Sequence, residues 1–454
     1  MKQPVDLIIE ARWLVPIVPP NMLLEHQAVI IQLGVIINIC TLKEADQHYL
    51  AKEIIQLSEH ALIPGFINLH THAAMSLMRG LADDLPLMSW LETHIWPAEQ
   101  KLLSTSFVHD GTLLACAEML SGGVTTFNDM YFYPVSTAEA SLKIGMRANL
   151  GLVVLEFATQ YANNAESYID KGTQARDQLK NESLISFSFA PHAPYTVSDA
   201  TFKQLTTLSA QLNIGLHTHL HETQTEITHS EQNYGMRPMA RLAELGLLDA
   251  TTTFAHCVHL NEIEMQLLAE HGCSIAHCPS SNLKLASGIA PIAECISKGI
   301  NVGLGTDGAA SNNRLDMFTE MRLAALLAKG SSGDATVISA HKALEMATIN
   351  GAKALGLDNK LGSIEIGKLA DLTAVKLSDM NMQPCFDPVS HLVYVAGREQ
   401  VSHVWVNGDL KYYKPDNSEG VYSHVEPLEL KDIVGKWQTK LAEFKTTSNQ
   451  TSFN

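Results

Sequence analysis

Apolar residues along this chain fall mostly into short runs that recur at a regular spacing. Between residues 61 and 307 there are eight: 61–70 (ALIPGFINLH), 123–129 (GVTTFND), 147–155 (RANLGLVVL), 185–191 (ISFSFAP), 213–219 (NIGLHTH), 251–257 (TTTFAHC), 273–278 (CSIAHC) and 301–307 (NVGLGTD). Each is followed by a polar loop and then a helical pattern. Strands alternating with helices predict a parallel sheet. Eight such units over about 250 residues match the size of a closed (β/α)8, TIM-like barrel.

The ends of the runs carry a second pattern. His70, His72, Asp129, His192, His219, His256, His277 and Asp307 all fall at or just past the C-terminal ends of predicted strands. That is the end at which barrel enzymes assemble their chemistry. A doubly wound open sheet is the competing α/β arrangement, but it gives no reason for polar residues to converge from so many strands.

The flanks are β-rich. Residues 1–60 read as strand and turn (VDLIIEARWLVPI, then AVIIQLGVIINIC), as do residues 362–412 (GSIEIGKLADLTAVKL, then VSHVWVNGDLKYY). Neither piece makes a stable sheet easily alone, so the two are expected to pair into a composite β-sandwich. The expected organisation is therefore residues 1–63 with 362–425 as the sandwich, 64–361 as the barrel, 426–446 as a closing helix, and 447–454 as a disordered tail.

With 454 residues, 46% of them hydrophobic, the chain can bury a large core. It carries 31 basic against 48 acidic residues, a formal charge of −17, with no Lys/Arg block. Nucleic-acid binding is therefore not expected, because phosphate neutralisation needs clustered positive charge. The N-terminal stretch is broken by Asp6 and Glu10 and does not read as a signal peptide. No apolar run reaches the roughly 18–20 residues of a membrane span. The seven cysteines are odd in number and contain no C-x-x-C pair, so Cys257, Cys273 and Cys278 read as core-filling thiols in a reducing, cytoplasmic setting.

Two His-x-His pairs, His70-Thr71-His72 and His217-Thr218-His219, and the later Gly305-Thr306-Asp307-Gly308 bring chemistry to this frame. Residues i and i+2 of a strand face the same side, so each pair can aim two imidazoles at one point. Imidazole and carboxylate donors suit Zn²⁺ or a similar divalent ion that activates water. In the second pair His219 is assigned to the metal, with His217 as the alternative, and His221 reads as solvent-facing or structural. Glu222, three residues past His219, can lie over the metal without ligating it, which suits a proton shuttle. His256 is either a further ligand or, the favoured reading, a neutral hydrogen-bond partner of the attacking hydroxide. Asp307 can bind metal through one oxygen and hold the water through the other. His259 reads as structural and His277 as packing or outer-shell support. Predicted strand four, ISFSFAP, offers no bridging ligand for a second ion, so one metal is expected.

The string PGFINLHTHAAMSLMRGLADDLPLMSWLETHIWPAE, with HTHLHET, AHCVHL, SSNLKL and GTDGAASNN at matching separations, resembles the amidohydrolase superfamily, and within it the 5′-methylthioadenosine/S-adenosylhomocysteine deaminases. The resemblance spans essentially the whole chain. It implies one zinc held by His70, His72, His219 and Asp307, with Fe²⁺ or Mn²⁺ as substitutes. It further implies Glu222 as the proton carrier to the ring nitrogen, His256 orienting the hydroxide, Glu99 binding the ribose hydroxyls, and His192 reaching the substrate. Read without the family, Glu99 is a solvated helix residue. The implied reaction is hydrolytic deamination of an adenine nucleoside, and members of the superfamily often form dimers or larger assemblies.

One departure bears on the substrate. Relatives that act well on S-adenosylhomocysteine can carry arginines beyond strand three, whereas here that region reads GLVVLEFATQYANN. An uncompensated carboxylate is costly to bury, so 5′-methylthioadenosine, 5′-deoxyadenosine or adenosine is the expected substrate. The rival on the same fold is a guanine, pterin or triazine aminohydrolase or chlorohydrolase. A catalytically silent metal-binding protein would be expected to lack a ligand or the shuttle, and neither is missing.

Overall fold

The computed structural model describes residues 1–451 except Asn417, with the side chains of 446–451 left undescribed. Eight parallel strands form the barrel: β1 (Phe66–Thr71), β2 (Val124–Tyr131), β3 (Arg147–Val154), β4 (Ile185–Pro191), β5 (Gly215–Leu220), β6 (Thr252–His256), β7 (Ser274–His277) and β8 (Asn301–Leu304). Their spatial order follows the chain, as right-handed strand–helix–strand crossovers require. β1 to β3 are buried along their whole length, which fits a sheet lined by side chains inside and covered by helices outside.

Closure between β8 and β1 is made just past the end of β8. The Asp307 amide donates to the His70 carbonyl at 2.9 Å. The Asn68 side chain accepts from the Thr306 amide at 2.9 Å and donates to Thr306 Oγ1 at 2.7 Å. Glycine is needed here for proximity: a Cβ on Gly305 would stand 2.8 Å from the His70 amide nitrogen, and one on Gly303 would stand 2.7 Å from Leu69. The approach that closes the barrel also brings Asp307 to the histidines of β1.

The strands outside the barrel form one continuous eight-stranded sheet, drawn from both ends of the chain. Its junction is antiparallel, Leu372–Lys376 against the end of Tyr49–Pro64, in register from Leu372↔Pro64 to Lys376↔His60. The expected run 61–70 is thus two strands. Residues up to Pro64 belong to this sheet, Gly65 turns the chain, and β1 enters the barrel. The expected pairing of the two flanks is present, but in place of two separate layers the sheet curls. The Gly34 turn accepts from Ala370 at 2.8 Å, and Ala370 in turn accepts from Gly408 at 2.9 Å. Ile9, Leu14, Val29, Ile31, Leu372 and Trp405 share the resulting core.

A buried bidentate pair ties this sheet to the start of β3, at the end of the barrel away from the predicted site. Arg147 Nε lies 3.1 Å from Asp371 Oδ2 and Arg147 Nη2 lies 3.2 Å from Asp371 Oδ1. The fork geometry of arginine satisfies both oxygens at once. The closing helix, Pro427–Thr451, runs past the expected 426–446 and takes in much of the segment expected as a disordered tail; residues 452–454 lie outside the described residues. Trp437 anchors it, with its ring edge-on to Phe107 and its Nε1 donating to Asp110 Oδ2 at 2.8 Å. Cys257, Cys273 and Cys278 are buried and all seven cysteines are unpaired. Among the described residues, no helix is long and apolar enough to cross a membrane.

Candidate metal centre and cavity

The alternation of β1 places Asn68, His70 and His72 on one side of the strand. His70 is fully buried, and its Nε2 has no hydrogen-bond partner. An orphaned buried nitrogen is costly, and here it points into a group of donors. One donor atom each from His70, His72 and His219 lie within 4.8 Å of one another, as do those of a second set, His70, His256 and Asp307. Asp307 Oδ1 stands 3.5 Å from His70 Nε2 and 3.2 Å from His72 Nε2. The donor chemistry fits a divalent cation such as zinc.

The surroundings orient these ligands. His72 Nδ1 donates to the Met130 carbonyl at 2.6 Å, and His219 Nδ1 donates to the His192 carbonyl at 2.6 Å, leaving both Nε2 lone pairs turned inward. Asp307 Oδ2 accepts from Ser281 Oγ at 2.6 Å and from Ser311 Oγ at 2.8 Å, while Oδ1 accepts from the Gly308 amide at 2.7 Å. These bonds hold Asp307 in a left-handed conformation, φ 61°, which costs a non-glycine residue of order 1–3 kcal/mol. His256 is left-handed as well, φ 72°.

Charge is arranged to match. Burial alone would raise the Asp307 carboxyl, yet His70 and His72 beside it hold it well below the usual carboxylate range. Burial drives His70 down to about 4 and His219 well below the usual histidine value, so both are neutral donors at neutral pH. Burial also opposes charge on His72, but Asp307 outweighs it and raises His72 to about 9. A proton and a cation compete for that nitrogen, so loading the site releases a proton and acid conditions oppose it.

The other predicted residues fall around this cluster. Glu222 is buried, with its carboxyl raised by burial, and its Oε2 stands 3.8 Å from His256 Nε2. His256 Nδ1 donates to Asn282 Oδ1 at 2.8 Å, which frees Nε2 toward Glu222. His192 follows β4, and its Nδ1 lies 3.1 Å from Thr196 Oγ1. Glu99, on helix Trp96–Leu102, accepts from Tyr131 Oη at 2.7 Å and is pushed by burial up to about 7.

Several neighbours of the cluster turn away from it. His217 stands behind His70, its Nε2 3.0 Å from His70 Nδ1 and its Nδ1 3.2 Å from Asn128 Nδ2. His221 is buried, not solvent-facing, and accepts from the Met239 amide at 3.1 Å. His259 Nε2 lies 2.8 Å from the Ser287 carbonyl. His277 ends β7 with Nδ1 buried and without a hydrogen-bond partner. Asp129 lies inside β2, two residues short of its end, and accepts from the Ala73 amide at 2.8 Å, holding the turn after His72.

A cavity of about 560 Å³ opens over the cluster, and His72, His192, His219, Glu222, His256 and Asp307 form its floor. Trp96, Glu99, Phe132, Leu155 and Phe157 contribute to its walls. Neither Lys nor Arg is among the described residues that line it. Sequence reasoning missed the roles of Ser281, Asn282, Ser311 and Tyr131. The first three lie within the resembling strings SSNLKL and GTDGAASNN, but hydroxyl and amide residues in loops carry no periodicity that marks what they will hold.

Comparison with known proteins agrees with this geometry. The profile described as the amidohydrolase family matches residues 61–411. The chain is 45% identical over 443 residues to a 5-methylthioadenosine/S-adenosylhomocysteine deaminase of Saccharophagus degradans, covering 97% of this chain and 98% of that one. It is 47% identical to a protein of the same description from Teredinibacter turnerae, over 89% of this chain and 92% of the relative. A crystal structure of an adenosine deaminase from Xanthomonas campestris with bound zinc superposes with a TM-score of 0.95 at 43% identity, covering 98% of this chain and 100% of that one. A closed parallel barrel with a histidine and aspartate cluster at its mouth, and relatives of this kind over nearly its whole length, place the chain in the amidohydrolase family.

Proposed function

We propose that this protein is a zinc-dependent hydrolytic deaminase of adenine nucleosides, with 5′-methylthioadenosine as its preferred substrate and one zinc per chain. The observation that carries the reading is one cavity joining the metal-donor cluster to a half-buried glutamate, Glu99, with neither Lys nor Arg among the described residues of its walls. A ribose diol can donate to Glu99, a neutral thioether can lie against the apolar walls, and the adenine ring can reach the cluster. A reducing cytoplasm suits the seven unpaired cysteines.

His70, His72, His219 and Asp307 would hold the cation, which when bound lowers the pKa of a water molecule toward about 7. Asp307 and Nε2 of His256 orient the attacking water, and Glu222 in its charged form takes one of its protons. Glu222 hands that proton to N1 of the adenine ring, which makes C6 electrophilic as the C–O bond forms. As the tetrahedral carbon collapses, Asp307 takes the proton of the added hydroxyl and passes it to the amino group, the C6–N bond breaks and ammonia leaves, with both carboxylates restored. His192, just past β4, contacts the bound nucleoside. The product is the matching inosine derivative.

Steady-state kcat/KM measured across 5′-methylthioadenosine, 5′-deoxyadenosine, adenosine, S-adenosylhomocysteine and guanine tests the substrate. The expected order places 5′-methylthioadenosine at least about tenfold above S-adenosylhomocysteine, since a carboxylate without a counter-charge pays a desolvation cost of more than about 1.4 kcal/mol. A clear advantage for S-adenosylhomocysteine refutes the preference, and turnover of guanine alone refutes the nucleoside reading. Glu99→Gln is expected to lower kcat/KM on the nucleoside by about 10- to 100-fold, the loss of a charge-assisted hydrogen bond of about 1.5–3 kcal/mol. The same substitution should have little effect on a 2′,3′-dideoxy analogue, and equal losses on both would remove Glu99 from the ribose.

A further inference from the structure

A second carboxylate stands next to the proposed proton carrier and has no part in the reaction as written. Glu226 is buried, 5% exposed, and is not among the residues lining the cavity. It lies in the first turn of helix Gln224–Tyr234, whose N-cap Thr223 accepts from the Glu226 amide at 3.2 Å. In an ordinary capping box the glutamate at this position bonds back to the amide of the cap residue. Here it reaches further. One carboxylate oxygen accepts from the His221 amide at 2.9 Å and the other from the Glu222 amide at 2.9 Å.

Those two amides lie outside the helix, in the segment that leaves β5 and carries Glu222. His221 is left-handed there, φ 53°, a conformation a non-glycine residue keeps only when its surroundings hold it. Successive amides converging on one carboxylate form an anion-binding concavity, and both bonds are charge-assisted. Neither bond satisfies a helix end, so helix capping does not account for them. What they constrain is the backbone from which the Glu222 side chain projects.

We infer that Glu226 is a positioning residue, holding the Glu222 backbone so that the Glu222 carboxyl meets both His256 and the substrate ring. The inference rests on Glu222 being the proton carrier. Misplacing a reacting group by about 1 Å can cost about 10²-fold in rate. Glu226→Gln keeps the size of the side chain but turns an NH2 group toward a backbone N–H, so one of the two bonds is lost. The expected result is a fall in kcat of about 10²-fold, with KM for 5′-methylthioadenosine and zinc content little changed.

The deciding experiment is a double-mutant cycle on the zinc-loaded protein. If Glu226 acts through Glu222, then Glu222→Gln combined with Glu226→Gln is no slower than Glu222→Gln alone. Losses that add overturn the inference. Thr223→Ala, which removes the helix cap and leaves both carboxylate bonds, is the control: it should lower the melting temperature without changing kcat. A fall in kcat equal to that of Glu226→Gln would mean that helix stability alone is responsible, and would also overturn the inference. Should Glu226→Gln not fold, Glu226→Asp, whose shorter side chain cannot span both amides, enters the same cycle. Normal turnover by Glu222→Gln would instead remove the reading of Glu222 itself.

Discussion

Replacing Glu222 with Gln is expected to lower kcat on 5′-methylthioadenosine by about two to four orders of magnitude, the range that general acid–base catalysis contributes, while leaving zinc bound. The amide keeps the shape of the side chain but cannot carry a proton between the attacking water and N1 of the ring. The environment of Glu222 suits the task. Burial raises its carboxyl, so it holds a proton nearer neutrality than the ordinary glutamate value of about 4.3. A carboxyl with a raised pKa is charged only above that pKa, so the acidic limb of the pH–rate profile should lie above the ordinary glutamate range and should disappear in the variant. Saturating kinetics from pH 5 to 9, with elemental analysis of the same samples, gives both readouts. Near-normal turnover with an unchanged acidic limb would show that Glu222 has no part in proton transfer.

The largest loss is expected from removing a metal ligand. His219→Ala should leave well under one zinc per chain and reduce turnover by at least about four orders of magnitude, because unassisted water has a pKa of 15.7 against about 7 when a cation binds it. The partner substitution is His217→Ala. These two histidines are two residues apart on β5, yet His219 offers its nitrogen to the cluster, whereas His217 stands 3.0 Å behind His70. The His217 variant should therefore retain zinc, with affinity weakened by about 10- to 100-fold, as is usual when a residue supporting a ligand is lost. Chelator competition followed by elemental analysis separates the two. Stoichiometric zinc and full turnover in His219→Ala would overturn the ligand assignment, and loss of all zinc from His217→Ala would reverse the roles of the pair.

Much of this protein was legible from its sequence, and the reason is periodicity. Eight apolar runs alternating with helical patterns predict the barrel because a buried parallel strand must be apolar on both faces, and each run holds a strand of the structure. Residues i and i+2 of a strand share a face, so His70 and His72 fall together before any tertiary contact is known. The position of Asp307 past the eighth run follows equally from local pattern, since a closed barrel returns its last strand to its first.

What only the tertiary structure decided depends on residues distant along the chain. Periodicity alone cannot separate His217 from His219, which lie on the same face of β5; the choice is made by where β1 and β4 place His70 and the His192 carbonyl. Glu99 reads as a surface residue because its helix is outside the strand pattern, and it becomes a half-buried cavity residue only when that helix folds across the barrel mouth to Tyr131. The flanking strands show their own alternation, but their union into one curled sheet depends on a junction more than 300 residues apart in sequence, Pro64 with Leu372. Local pattern determines which residues are strands and which way their side chains face, because those follow from backbone geometry over a few residues. The pairing of distant carboxylates, carbonyls and imidazoles follows from closure of the barrel, which is a property of the whole chain.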